Sequence, residues 1–393
     1  MAFDLTHMLN CAALGVCLFA ISSAATRLRQ RAQVIWLISF FTAHLFGLTV
    51  ALADGLESPA YPVIVLVAIP ALLVYSPSLH FYVRGLTGAP APDRRRLLAH
   101  FSPAIALAVL SLLLLSMPAE SRAWIGAASE EPASPVGQLL RLALVGAMAG
   151  FIIQALVYAG AISRRLSRHR NRLKDLFAST EERELGWISL VTVLLVAYAL
   201  QTPLPVLLGS LAGLQLDLSV LDAGLSLALV WTLGLWGLRQ APVVASPISK
   251  TTTAPERYAR STLPAESMVR IAQKIEQVVA AQARYTDPDL SLRDLSAATG
   301  VSSNHLSQTL NAQMGERFFD YVNRHRIAAA KQRLRESDDG VAAILHEVGF
   351  NSRSAFYRAF RRETGESPAA WRRATKVSAL APESGTQPSD PES

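Results

Sequence analysis

Cysteine is nearly absent, with Cys11 and Cys17 the two in 393 residues. Six positions apart in one apolar segment, they fall on different turns of a helix, which does not suit an internal bridge. Two cysteines supply no metal framework either, so both read as small packing residues. Charge is scarce too, at 17% of the chain against about 25% in ordinary globular domains. No glycine-rich phosphate loop, metal-ligand cluster, nucleophile elbow, kinase or phosphoacceptor pattern occurs, so no enzyme activity, metal or cofactor is expected. The opening MAFDLTHMLN has no Lys or Arg, where a cleaved secretory signal would carry them. Charge comes after the first apolar run instead, as in an uncleaved anchor.

What is present in quantity is apolar sequence, 51% of the chain, although the net charge is +7. Long apolar stretches recur at residues 8–25, 33–53, 60–84, 99–117, 137–162, 186–208 and 219–238. About twenty residues at 1.5 Å each cross a hydrocarbon core of about 30 Å. The expected fold is therefore all-α: a seven-helix transmembrane bundle over residues 1–240, then a soluble helical domain. Core helices of a large soluble protein are the alternative, but so many such runs in one half-chain exceed a normal core.

The loops alternate in charge. Arg27, Arg29 and Arg31 follow the first stretch, Arg84, Arg94, Arg95 and Arg96 the third, and Arg164, Arg165, Arg168, Arg170, Arg172 and Lys174 the fifth. The intervening loops carry Asp54, Glu57, Glu120, Glu130, Glu131 and Asp217, with Arg122 as their one basic residue. Positive loops stay cytoplasmic, so the N-terminus is expected outside and everything after the seventh crossing inside. The basic run at 164–174 also reads simply as a topology signal in contact with anionic lipid.

Polar residues within a bilayer are costly and often functional. His44, Gln154, Gln201 and His80, the last beside Pro77, are candidates for sensing an unknown small-molecule or membrane signal, with a helix break at Pro77 as the movable element. Hydrogen-bonded packing between helices, with no ligand, is the plain alternative.

Composition becomes ordinary after Lys250. Residues 241–262, rich in Pro, Ser and Thr, read as a flexible linker, 263–377 as the soluble domain, and 378–393 as a disordered tail. In SLRDLSAATG, Ser291 and Asp294 have capping-box spacing, Leu292, Leu295 and Ala298 share a side, and Gly300 suits a left-handed helix end. Ser302 or Ser303 then caps a helix that buries Leu306 and Leu310. The pattern returns downstream. Val341, Ile344, Leu345 and Val348 line one face, Gly349 and Phe350 make the turn, and Ser352 caps a helix that buries Phe356 and Phe360. These are two helix-turn-helix units, the second one residue longer in its turn. Between them a helix of about 19 residues and about 28 Å, packing through Phe319, Val322, Ile327 and Leu334, can space the two second helices about one DNA turn apart, 34–36 Å.

Burial of Phe356 and Phe360 turns Arg353, Ser354, Tyr357 and Arg358 outward, where Arg reads guanine bidentately and Ser bonds several bases. Arg361 and Arg362 lie further along, where phosphate is the natural partner. From Leu263 to Lys376, 17 Lys and Arg face 13 Asp and Glu. That excess is mild enough to fit a solvated face, so the doubled motif carries the argument.

Residues 263–376 resemble the DNA-binding domain of the AraC/XylS family of bacterial transcription regulators. LSLRDLSAATGVSSNHLSQTL, FFDYVNRHRIAAAKQRL and ILHEVGFNSRSAFYRAFRRETGESPAAWR carry the resemblance. It implies that Asn304, Ser307 and Gln308 of the first recognition helix face bases, as do Arg353, Ser354, Tyr357 and Arg358 of the second. Two departures stand out: the first recognition helix has no basic residue, and His346 replaces a small residue near the turn. The second copy is expected to dominate affinity. The apolar half is similar to a smaller group of AraC-type regulators fused to a multi-spanning N-terminus, through SPSLHFYVRGLTG and RHRNRLKDLFASTEERELGW.

The expectation is a membrane-bound, one-component regulator at the bacterial inner membrane. Its implied partners are double-stranded promoter DNA, the lipid bilayer and RNA polymerase, with a homodimer as the means of filling adjacent half-sites. The rival is a receptor or transporter whose C-terminal module binds a cytoplasmic protein. Transport calls for mid-membrane ionisable groups and an internal repeat, of which the sequence offers only His44.

Overall fold

A computed structural model of the chain describes residues 4–53, 60–118, 125, 135–180, 185–205, 207–208, 214, 216–240 and 263–380. The expected linker 241–262 and residues 381–393 of the expected tail lie outside the described residues. Described residues are helical, with no strand among them and one isolated bridge between Phe177 and Ser291. They form two compact units. One gathers the described residues within Met1–Ser167 and Leu185–Lys250; the other gathers those within Arg168–Glu184 and Thr251–Ser393.

The first unit contains α1 (Leu5–Arg27), α2 (Ile35–Ala53), α3 (Tyr61–Leu86), α4 (Arg94–Leu115), most of α5 (Pro135–Leu176), α6 (Gly186–Gln201) and α7 (Ser219–Arg239). Among the described residues six helices are long and apolar enough to cross a membrane: α1, α2 with its preceding turn, α3, α4, α5 and α7. The expected span at 186–208 is a 16-residue helix ending at Gln201, about 24 Å at 1.5 Å per residue. A short 3-10 turn, Ala32–Val34, leads into α2.

Large apolar side chains point outward from these helices. Phe19 is 71% exposed, Leu139 68% and Leu112 66%, the reverse of a water-soluble surface and the pattern lipid rewards. Inside, small residues let backbones approach. Ala13, Cys17, Ala20 and Ala24 form the buried stripe of α1, and Gly234 of α7 lies against Val16, Ala20 and Phe41. Cys17 is thus a packing residue as expected, whereas Cys11 is exposed. The break anticipated at Pro77 does not occur. Helix α3 runs unbroken through Pro70 and Pro77, which neighbouring helices tolerate in apolar surroundings.

The second unit holds α8 (Ala265–Glu276), α9 (Leu292–Thr299), α10 (Ser303–Ala312), α11 (Phe318–Glu336), α12 (Val341–Glu347), α13 (Arg353–Thr364) and α14 (Pro368–Leu380). Helix α14 therefore extends past the expected boundary at 377. Two apolar cores lie along α11. Its first half supplies Phe318, Tyr321 and Val322 to a core with Ile275, Val279, Leu295, Leu306 and Leu310. Its second half supplies Ile327, Ala330 and Leu334 to a core with Ile344, Leu345, Phe350, Phe356 and Phe360. Two expected packing positions are shifted by one residue. Phe318 is buried while Phe319 is only half-buried, and Thr299 is buried while Ala298 is exposed.

Candidate nucleic-acid interface

Helices α9 and α10 are set by local chemistry. Ser291 and Asp294 form the full capping box, satisfying two orphan donors at once. Gly300 closes α9 at φ +67°, the left-handed region. Ser302 is the N-cap of α10, its hydroxyl accepting from the His305 amide at 3.3 Å, and Ser303 is the first helical residue. Leu306 and Leu310 are fully buried. In the second copy Gly349 turns at φ +91°, Ser352 accepts from the Ala355 amide at 3.2 Å, and Phe356 and Phe360 are fully buried. Phe350 is buried too, its ring 5.2 Å from that of Phe356.

With these anchors inward, Arg353, Ser354 and Arg358 of α13 are exposed and Tyr357 is half-buried; on α10, Asn304 is exposed and Ser307 and Gln308 are half-buried. Arg353 is held over the Tyr357 ring at 5.3 Å, with Nη2 donating to the phenol oxygen at 3.4 Å. Both side chains are thus partly ordered for contact. Ser307 is engaged locally, its carbonyl accepting from Asn311 Nδ2 at 2.8 Å. Arg361 is exposed, and Arg362 pairs with Asp320 of α11 at 3.0 Å. The second helices of the two units differ in charge: α10 has no Arg or Lys, whereas α13 carries Arg353, Arg358, Arg361 and Arg362.

Sequence reasoning missed the residue that ties the copies together. Arg326, on α11, is 0% exposed. Its Nε donates to the Tyr285 carbonyl and Nη2 to the Asp287 carbonyl, each at 2.7 Å. Nη1 donates to Ser179 Oγ at 3.1 Å and the Ala178 carbonyl at 3.3 Å. The guanidinium lies 5.5 Å from the Phe350 ring centre. The same 285–286 turn meets Gly349, where an added Cβ would lie 2.7 Å from both carbonyl oxygens. A signal was available in sequence, since Phe318, Val322, Arg326, Ala330 and Leu334 follow at intervals of four, which makes Arg326 a neighbour of apolar Val322 and Ala330 along the helix.

Nearby, burial and a hydrogen bond to Glu276 raise the Tyr321 phenol above its ordinary value. Burial pushes the His325 imidazole down, partly opposed by Glu276, whose Oε2 lies 3.7 Å from Nε2.

The candidate sensing residues occupy separate places in the first unit. His44 is buried, with Nε2 2.7 Å from Ser226 Oγ, among the rings of Phe40, Tyr75 and Tyr198. His80 packs instead on Phe81, His100 and Tyr158. Gln154 donates to the Leu73 carbonyl at 3.3 Å and Gln201 to the Leu218 carbonyl at 3.4 Å.

A family profile described as a helix-turn-helix domain matches residues 295–374. An AraC-like transcription regulator of Streptomyces antibioticus is 35% identical over 91 residues, covering 23% of this chain and 30% of that protein. An HTH-type transcriptional regulator of Staphylococcus aureus (strain COL) is 33% identical over 99 residues, covering 25% of this chain and 13% of its own. The chain thus spans under a third of the length of these curated relatives. A solved Listeria innocua protein of unknown function is 30% identical, covers 26% of this chain and 96% of its own, and has a TM-score of 0.25. Residues 295–374 are therefore a helix-turn-helix domain, similar to those of proteins described as AraC-like and HTH-type transcription regulators, in a chain whose N-terminal region is built of long apolar helices.

Proposed function

We propose that the protein is a membrane-bound, one-component transcription regulator. It crosses the bacterial inner membrane seven times, N-terminus out, and presents the C-terminal domain to promoter DNA in the cytoplasm. The observation that carries the DNA reading is the pairing of two capped helix-turn-helix units on one 19-residue helix. The second exposes Arg353, Ser354 and Arg358 while Phe356 and Phe360 hold it down. Base contacts from Arg353, Ser354, Tyr357 and Arg358 supply most discrimination; Asn304, Ser307 and Gln308 add a weaker uncharged reading, and Arg361 holds phosphate.

Orientation is supported by where the arginines go. Arg27 donates to the Leu238 carbonyl and Arg31 to that of Gln240 at 3.2 Å, both at the C-terminal end of α7. Arg165 donates to Thr87 Oγ1 at 2.5 Å, just beyond α3, and Gly85 there abuts Gln33. Cations thus gather at one end of the bundle, where helix C-termini favour them. A signal in the membrane half, with His44, His80, Gln154 and Gln201 as candidate receivers, shifts helix packing or pairing of two chains. Two domains brought together bind adjacent half-sites by raised effective concentration, and RNA polymerase is the partner at the promoter.

The test is flotation. Vesicles carrying the full-length protein are mixed with labelled promoter-sized duplexes from a bacterial genomic library and centrifuged up a density gradient. Sequence-selected duplexes rise with the vesicles, and the Arg353→Ala/Arg358→Ala variant loses them. DNA that stays at the bottom under floating wild-type protein refutes the DNA reading; protein that never floats refutes the membrane one.

A further inference from the structure

We infer that residues 168–180, the basic C-terminal turns of α5 and the four residues after them, are an intramolecular positioning strap for the DNA-binding domain. Through Arg326 they fix the relative placement of its two recognition helices. The inference rests on the DNA-binding reading above. The segment groups with the second unit, whereas the residues before Arg168 and after Glu184 group with the first.

The seat is built from both backbone and side chains. Phe177 pairs antiparallel with Ser291, and the Ala178 amide donates to the Leu290 carbonyl at 3.0 Å. Ala178 is 1% exposed in the first apolar core, and Ser179 and Thr180 are buried. Upstream, Asn171 Oδ1 accepts from Arg317 Nη1 at 3.1 Å, Asp175 lies 3.8 Å from Arg317 Nε, and the Lys174 ammonium sits 5.5 Å from the Phe319 ring centre. A solvated topology signal needs none of these contacts.

Arg326 makes the seat more than packing. One planar guanidinium joins the strap through Nη1, the 285–287 turn through Nε and Nη2, and the second helix-turn-helix through the Phe350 face. Gly349 presses on the same turn. When the strap leaves, Nη1 loses Ala178 and Ser179, its two shorter bonds, and keeps the longer one to Asn323 Oδ1 at 3.5 Å. Exchanging two short bonds for one long one is costly for a charged group, and its surroundings here are the joint between the two copies. Since the strap is covalently continuous with α5 and leads into α6, a shift of either apolar helix reaches that joint directly, independently of the 241–262 connection.

The experiment is selection from a library of randomised duplexes by the full-length protein in lipid nanodiscs, with the selected sequences read out. Wild type selects two base blocks at one fixed separation, near one helical turn of about 10–10.5 base pairs. Ala178→Arg, which cannot re-enter the core, and Arg326→Lys, which keeps charge but loses the fork, select the same blocks at scattered separations. They bind the fixed-spacing duplex about tenfold or more weakly, while single-block binding stays within about twofold, because only the linkage between the blocks has been loosened. Amide exchange in α9–α10 and α12–α13 tells a folded Ala178→Arg from an unfolded one. If that variant unfolds, Asn171→Ala/Asp175→Ala/Ser179→Ala, which removes only strap side-chain contacts, must scatter the spacing in its place. Unchanged spacing and affinity in a folded variant overturn the strap and leave DNA binding standing. No selected sequence from wild type overturns both.

Discussion

Gly349→Ala offers a sharp test of how the two helix-turn-helix copies are joined. Two costs act there. Its φ of +91° lies in the region L-residues avoid, worth about 1–2 kcal/mol. In addition, the new Cβ would sit 2.7 Å from the Tyr285 and Thr286 carbonyl oxygens. These are backbone atoms that cannot rotate away, and overpacking of this kind adds roughly 1–3 kcal/mol. Together they cost about 2–5 kcal/mol, a roughly 30- to 5000-fold larger opening constant for α12–α13 at about 1.36 kcal/mol per decade. Gly300→Ala is the internal control. It has a similar φ of +67° but nothing within 4 Å of the added atom, so it carries only the first cost, about 1–2 kcal/mol. Hydrogen exchange of the full-length protein in nanodiscs reads both, because each glycine ends a different helix pair. A Gly349→Ala effect no larger than that of Gly300→Ala would refute the close approach, and with it the joint through residues 285–286.

Two further outcomes separate roles along α13 and at its support. Arg358→Ala should cost about 1–3 kcal/mol and relax preference at one base position, while Arg361→Ala weakens all duplexes alike and lowers the salt slope by about 1; titrations at several salt concentrations distinguish them. His325 has a folded-state proton affinity below its ordinary value, caused first by burial and opposed by Glu276, with Arg324 lowering it and Glu316 raising it. Its contribution to stability is therefore full above the ordinary value near 6.5 and is lost as pH falls through that value toward the folded one. Exchange protection of α11 should drop between pH 7 and 5.5, and His325→Gln should flatten that slope; an unchanged slope removes His325 from the account.

Features governed by neighbours in sequence could be read without coordinates. The Ser291–Asp294 box, the Gly300 and Gly349 turns, the Ser302 and Ser352 caps and the buried pairs at 306/310 and 356/360 depend on contacts a few residues apart, so spacing alone reveals them. The long apolar helices follow from run length in the same way. One-residue ambiguities escaped. FF at 318–319 and AT at 298–299 each offer two candidates for one inward position, and only packing selects Phe318 and Thr299. Pro77 differs from its expected break because proline disrupts helices in water, whereas in an apolar bundle neighbouring helices hold α3 together.

Arg326 and the 168–180 strap were hidden for a different reason. Charge marks a residue as surface, and residues 178 and 326 meet only through the fold. The candidate base-facing set was accessible from sequence because burying Phe356 and Phe360 leaves few other faces for Arg353, Ser354 and Arg358. The Arg362–Asp320 pair spans two helices, which spacing along one helix does not reveal; on the DNA-binding proposal it leaves Arg361 as the expected phosphate contact of the two.

Chromatin capture of the full-length protein from the membrane fraction of a bacterial host tests the central claim most directly. The account predicts discrete promoter fragments sharing a two-block sequence, recovered with the membranes and lost when Arg353 and Arg358 are both replaced by alanine. Recovery of chromosomal DNA no richer in promoters than the input, or recovery unaffected by that double replacement, would contradict it.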